Sequence, residues 1–298
     1  MKIIITSILL IFCMQLTSHS FAQEGVEESQ SEADAEYIKW ATTLWESFDR
    51  QTGLITIAEA NAVLNVPETF YYLNAQDAEK VLVEVWGNPP GQDTYGMLFP
   101  AESTPFDPDA WAVTIQYEED GYVSDADADD IDYQDLLKQM KKDTRAASKD
   151  RVKQGYQAIE LVGWASPPYY DKGEKKMHWA KELSFSDVEV NTLNYNIRVL
   201  GRRGVLLLNF IAGIDQKELI DQNLDSVLAI ASFDQGAQYA DFDPDIDKVA
   251  AYGLGALVAG KLAAKAGILA GLILFLKKFG VFIVIGIAAL FRRLFMKK

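Results

Sequence analysis

Acids stand at positions 125, 127, 129, 130 and 132 in the stretch GYVSDADADDIDYQDLL, Gly121 to Leu137. So many carboxylates in so few residues raise the question of a divalent cation. A calcium loop of the helix–loop–helix type needs a glycine at its sixth position for a sharp turn and a bidentate glutamate at its twelfth. Counted from Asp125, those positions hold Asp130 and Leu136. The second acidic run, DFDPDIDK (241–248), places Ile246 and Tyr252 there. Both runs lack the required residues. The simpler expectation is that Asp129, Asp130 and Asp132 crowd the start of a helix, where negative charge suits the exposed amide groups.

Other chemistries are equally constrained. Residues 1–22 combine Lys2, an apolar run from Ile3 to Met14 and small residues at Ser20 and Ala22, the pattern of a secretory signal peptide cut after Ala22. Its removal takes away Cys13, the only cysteine, and His19, leaving His178 as the single imidazole. Disulfides and thiol nucleophiles are then excluded, and no histidine pair can hold a metal. A serine nucleophile would depend on His178, yet no G-x-S-x-G motif is present and the nearest serines are Ser184 and Ser186. No phosphate-binding glycine loop occurs, so no cofactor is expected. A more specific constellation is Asn194, Asn196, Arg198, Arg202 and Asn209, polar groups beside the most apolar strands, with His178 and Glu182 not far away in sequence. Together these seven could line a pocket for a small acidic or amide-bearing ligand, or a peptide. The competing reading is structural: Arg198 answers a buried carboxylate and the asparagines satisfy loop backbone.

The elements that must position these residues read as α+β, an antiparallel sheet with helices packed on one side. Ile38, Ala41, Leu44, Trp45 and Phe48 recur at helical spacing. Short strands follow, broken near Glu59–Asn61 and at Pro67. Asn74 opens a helix whose apolar face is Ala75, Ala78, Val81, Leu82 and Val85; Gly87 and the prolines at 89 and 90 close it. Trp111, Val113, Ile115 and Tyr117 share one face of a strand. Tyr133, Leu136, Leu137, Met140, Thr144 and Ala147 mark the inner side of the next helix. Two strands meet across DKGEK, and Leu193, Tyr195, Ile197 and Val199 alternate with polar partners. GRRG then turns the chain into VLLLNFIA, apolar on both faces and therefore central. Asp215 and Glu218 have capping-box spacing for a last helix with Leu219, Leu224, Val227, Leu228 and Ala231 inside.

Charge divides the chain. All 43 acids lie between residues 23 and 248, against 19 cations, a formal charge of −24; eight cations and no acid follow Lys248. Such a body is repelled by nucleic acid, which is excluded as a partner. Residues 23–35 are acidic and poor in apolar groups, so disorder is expected there. Residues 36–248 form the expected folded domain, and 249–298 a membrane anchor. Its apolar segments 249–260, 266–276 and 279–291 are separated by Lys261 and Lys265 and by Lys277 and Lys278, and closed by Arg292 and Arg293. A single crossing from 266 to 291 would run ~39 Å as a helix, enough for a tilted span, with 249–264 lying at the interface; a hairpin turning at Lys277–Gly280 is the alternative. Basic residues at the end favour a cytoplasmic C-terminus and a periplasmic body on the inner membrane of a bacterium. Small residues at Gly253, Ala256, Gly260, Ala264, Gly267 and Gly271 would permit close helix packing, hence self-association or a membrane or periplasmic protein partner besides the lipid itself.

Five motifs carry a resemblance: WGNPP (86–90), LVGWASPPYYD (161–171), HWAKEL (178–183), NYNIRVLGRRGVLLLNFIA (194–212) and YADFDPDIDKVAAYGLGALVAG (239–260). In this order they resemble a family of bacterial membrane-anchored proteins catalogued as a domain of unknown function. The resemblance implies an envelope protein with a C-terminal anchor and brings no catalytic residues. Two functions remain: a non-enzymatic interaction or scaffold module, and a ligand- or peptide-binding domain or hydrolase using the polar strand face.

Overall fold

The computed structural model describes residues 34–259. Residues 34–47 form a helix, α1, in a unit that ends at Phe48, within which the Trp45 and Phe48 rings meet edge-on. Helix already begins inside the segment expected to be disordered; residues 23–33 and the signal peptide lie outside the described residues.

The second unit begins at Asp49 and is α+β. Its strands are β1 (Gly53–Ile57), β2 (Ala62–Val66), β3 (Phe70–Asn74), β4 (Gly96–Pro100), β5 (Ala112–Glu118), β6 (Tyr122–Ser124), β7 (Ile159–Asp171), β8 (Lys176–Phe185), β9 (Thr192–Leu200), β10 (Val205–Gly213), β11 (Ala231–Phe233) and β12 (Val249–Gly253). Seven of them form an antiparallel sheet in the order β3-β4-β5-β10-β9-β8-β7. β1, β2 and β11 form a second antiparallel sheet, while β12 and β6 make a short parallel pair. The helices are α2 (Ala75–Lys80), which runs on as a wider π-type turn through Val85, α3 (Tyr133–Lys153), α4 (Lys217–Ile230) and α5 (Leu254–Ala259).

Alternation in β10 explains why both faces of the large sheet are covered. Leu206, Leu208 and Phe210 point to one face, where the small sheet (Ile57, Ala62, Leu64) and α4 (Ile220, Val227, Ile230) close the main core. Val205 and Leu207 point to the other, against Val123, Tyr239, Leu254 and Leu257. On that same face Met177 and Trp179 of β8 pack with Met140 of α3 and Val258 of α5. Helices therefore lie on both sides of the sheet, not on one, because its central strands are apolar on both faces and each side needs cover. Burying one such leucine contributes about 1.5–3 kcal/mol.

Local signals behave as their chemistry requires. The Asn74 side chain accepts from the backbone N–H of Gln76 and Asp77, and Gly87 ends the helix with φ +66°. Asp132 caps α3 through the N–H groups of Gln134 and Asp135. At α4 the expected Asp215–Glu218 box is not used: a short 3-10 turn at Ile214–Gln216 comes first, and the Gly213 N–H donates to the Gln216 side chain at 2.9 Å. Leu219 consequently stays 42 % exposed, and Ala231 opens β11 rather than ending the helix.

The body does not end at the expected boundary of 248, and the expected interfacial helix is not what the described part of 249–264 forms. Val249–Gly253 is a strand and Leu254–Ala259 a helix, with Leu254, Leu257 and Val258 buried. The acidic stretch supplies the reason. Asp127 takes the backbone N–H groups of Leu254 and Gly255 at 3.0 and 3.2 Å, and Asp120 accepts from the Tyr252 hydroxyl. A Cβ on Gly253 would stand 2.5 Å from the Asp127 carboxylate, so this glycine serves a close approach in the body and not a membrane stripe. Asp125 accepts from Tyr170, Lys175 and Tyr239 at 2.7, 2.9 and 3.2 Å. The expected anchor, with Lys261, Lys265, Gly267, Gly271, Lys277, Lys278, Arg292 and Arg293, lies outside the described residues. No helix among the described residues is long and apolar enough to cross a membrane. Asp127→Ala removes the cap of α5 and is expected to cost about 1 kcal/mol; denaturant unfolding checks it, and proteolysis after residue 248 should quicken in the variant.

Candidate functional site

The strand register sorts the sequence candidates by face. β8 pairs with β9 so that Lys181 lies opposite Asn194, Trp179 opposite Asn196 and Met177 opposite Arg198. β9 pairs with β10 so that Asn209 lies beside Asn196, and β10 with β5 so that Thr114 and Gln116 fall beside Asn209 and Leu207. One face of four adjacent strands thus carries Lys181, Trp179, Asn194, Asn196, Arg198, Asn209, Thr114 and Gln116. His178 and Glu182 alternate to the opposite face, beside Ile197 and Leu193 of the main core. The expected seven-residue pocket is divided by the thickness of the sheet, since neighbours along a strand point apart. Arg202 leaves the group too: it sits in the β9–β10 turn and pairs with Asp247 at 2.6 Å, which itself is nearly fully buried.

The polar groups bond largely to one another. Asn196, buried, donates to the backbone and side-chain oxygens of Asn194 at 2.8 and 3.0 Å. Arg198 donates from Nη1 to Asn209 Oδ1 at 2.9 Å and to the Ile197 carbonyl at 3.0 Å. Asn209 in turn faces Thr114 Oγ1 and Gln116 Oε1, both at 3.4 Å. The guanidinium carbon of Arg198 lies 4.9 Å from the centre of the Trp179 ring, a stacked cation–π contact. The expectation that Arg198 answers a buried carboxylate is not met in its hydrogen bonds, whose acceptors are neutral.

Two features were not anticipated. Lys181 forms no hydrogen bond or ion pair with the described residues, and the indole N–H of Trp179 is buried without an acceptor. The sequence signal was present in KMHWAKELSF, where period two puts Met177, Trp179, Lys181 and Leu183 on one face, a lysine in an apolar row. Withdrawal from water, and then the charge of Arg198, pull the Lys181 ammonium down to about 8. Arg198 is likewise lowered by desolvation, to about 10, with Glu118 on β5 acting in the opposite sense. On the other face, burial and then Lys176 lower His178, opposed by Asp171 and Asp225; its ring lies 6.4 Å from that of Tyr169. Glu182 accepts from Asn191 at 2.6 Å. Ser186 Oγ accepts the Ala158 N–H at 3.2 Å, away from any histidine bond.

Two depressions of about 160 and 320 Å³ meet at Arg203, one lined with Asn61, Tyr117 and Asp234, the other with Glu119, Ile246 and Lys248. Neither contains a residue of the strand face. Among the described residues no group of three His, Cys, Asp or Glu side chains could hold a metal ion.

This is an α+β domain with a donor-rich, cation-bearing stripe across the middle of its large sheet. The chain belongs to the family described as protein of unknown function (DUF2167), whose model matches residues 49–288. No curated protein matches it. Among solved structures it is similar to cyanobacterial PsbP (CyanoP) from Synechocystis, at 12% identity and a TM-score of 0.35 over 63% of this chain and 93% of that one. It is also similar to the Ran-binding protein Mog1p of Saccharomyces cerevisiae, at 9% identity and a TM-score of 0.30 over 63% and 96%. At these scores the likeness carries no argument about function.

The lysine gives a test with a defined sign. A lysine lowered in the folded state holds fewer protons there than in the unfolded chain between pH ~8 and ~10, so stability rises with pH across that window. Lys181→Met removes this contribution. Denaturant unfolding at pH ~7 and ~10 should therefore show the native chain gaining stability relative to the variant as pH rises, and the variant equal or more stable at the lower pH.

Proposed function

We propose that the chain is a bacterial envelope module of the inner membrane: a periplasmic body, held by a C-terminal anchor, that recognises a partner and does not catalyse a reaction. The observation that carries this reading is the way the root of the tail is built into the body. β12 pairs with β6, Asp127 closes the amide end of α5, and Val258 packs beside Met140 and Trp179. The apolar, cationic segment that begins one residue after Ala259 therefore starts from a fixed point on the fold. A fixed root suits a body that must be presented to a neighbour in one orientation at a bilayer.

Charge supports the same reading. A body of formal charge −24 is repelled by anionic headgroups and stands off from the lipid, while a tail with eight cations and no acidic side chain is drawn to it. The span 266–291 and the basic cluster at Arg292, Arg293, Lys297 and Lys298 set the C-terminus in the cytoplasm by the positive-inside preference. Recognition takes place through self-association of the tail or through a membrane or periplasmic protein.

Two measurements test the proposal. Protease added to intact spheroplasts should remove the body and leave a short membrane-bound C-terminal fragment; a full-length chain that is protected and found in the soluble fraction would overturn the topology. Detergent-solubilised protein should sediment as an oligomer or with a stoichiometric protein partner; a lone monomer would overturn the recognition role.

A further inference from the structure

We propose that Lys181 and Arg198, set on either side of Trp179 on one face of β8 and β9, bind the oxyanion of a carboxylate- or phosphate-bearing ligand. Charge is left over at these two side chains. The body holds 43 acids and 19 cations, so a lysine or arginine has carboxylates in abundance. Lys175 finds Asp125, Lys172 finds Asp129 and Arg202 finds Asp247, at 2.6 to 2.9 Å. Among the described residues Lys181 finds none, and both hydrogen bonds that Arg198 makes with them end on neutral oxygens. Cations withdrawn from water without a hydrogen-bonded counter-charge are costly, and two of them near each other are more so.

The register places these groups as a set. Trp179 and Asn196 lie between the positions of Lys181 and Arg198 on the strand grid, and Arg198 folds back over the Trp179 ring, toward the lysine. Both Arg198 bonds leave from Nη1, so Nε and Nη2 remain for a second acceptor. The Asn194 side-chain oxygen is taken by Asn196, which leaves its NH₂ as a donor. The buried Trp179 N–H has no acceptor. Apart from the Asn196 side-chain oxygen, which accepts no hydrogen bond from the described residues, every uncommitted group here is a donor or a cation. That is the complement of an oxyanion, and it matches neither a cation nor an apolar side chain.

The charged groups around the pair agree with this reading. Glu118 on β5 contributes a favourable field at Arg198 and the two cations oppose each other. A carboxylate and a phosphate offer the same chemistry here, a compact oxyanion for a planar guanidinium and a point charge.

The test uses the full-length protein in detergent, labelled with 5-fluorotryptophan, with the Trp179 fluorine signal assigned through Trp179→Phe. Inorganic phosphate, succinate and sodium chloride are titrated at matched ionic strength. The expected result is a saturable shift of the Trp179 signal with phosphate, succinate or both, and none with chloride. In Lys181→Gln and Arg198→Gln the half-saturation concentration should rise about tenfold or more. Phosphate alone acting assigns a phosphate-bearing ligand, succinate alone a carboxylate. A response common to all three salts, or none, overturns the site, as does wild-type half-saturation in both variants. Should Arg198→Gln disturb the other tryptophan signals and so report misfolding, the part-buried Lys181 decides alone. The outcome is independent of topology: a protein found on the wrong side of the membrane would keep this response, and a correctly placed one could lack it.

Discussion

The pairing of β9 and β10 across the GRRG turn is the constraint from which the rest of the molecule follows. Their register sets Ile197 beside Leu208 on one face and Asn196 beside Asn209 on the other. Side chains alternate with a period of two, so a slip of one residue would send the polar row into the main core and the leucines out of it. Gly201 and Gly204 are required at this turn by close approach. A Cβ on Gly204 would meet the Glu118 carbonyl at 2.2 Å, and one on Gly201 the Phe233 ring at 2.6 Å. The turn is thereby pressed against both β5 and β11, which ties the large sheet to the small one.

From that register come the two characters of the sheet. One face is almost wholly apolar and takes α4 with the small sheet. The other is apolar only toward its flanks, where α2, α3 and α5 lie, and polar in its middle, where Lys181, Asn196, Arg198 and Asn209 meet. Central strands seldom carry such groups, because a polar atom away from water must find a partner. Asn196 does, through Asn194; Trp179 Nε1 does not. The divergence between these neighbouring groups makes the middle of this face the place where a buried donor is left without an acceptor, and none of its residues lines the depressions around Arg203.

The acidic stretch shows how a dense local signal can serve a distant element. Asp125, Asp127 and Asp132 each accept hydrogen bonds, but from three different places: a tyrosine–lysine cluster, the amide end of α5 and the amide end of α3. For Asp125, burial raises the carboxyl, and the bonds from Lys175 and Tyr170 with the charge of Lys175 outweigh it, holding the group below the ordinary aspartate range. Only Asp132 does what a helix-start reading of the stretch expects. The partners of the other two are 45 to 128 residues away.

Most element types are legible in the sequence, because hydrophobic period and turn chemistry are local, the exception being Val249–Gly253, which reads as helix and is a strand. Asn74 and Gly87 bound α2, alternation names β5 and β9, and VLLLNFIA marks a central strand. The charge division is legible there too, as is the family, whose model matches residues 49–288. The sequence did not determine the capping of α4, where Gln216 displaces Asp215, nor the boundary at 248, where composition turns apolar before the fold ends. The tertiary structure alone decided which polar residues meet. His178 and Glu182 are near Arg198 along the chain, yet strand alternation puts the sheet between them, while Lys181 joins the asparagines through pairing with Asn194. Proximity along a strand and proximity across it follow different geometry, and only the hydrogen-bonded register converts one into the other.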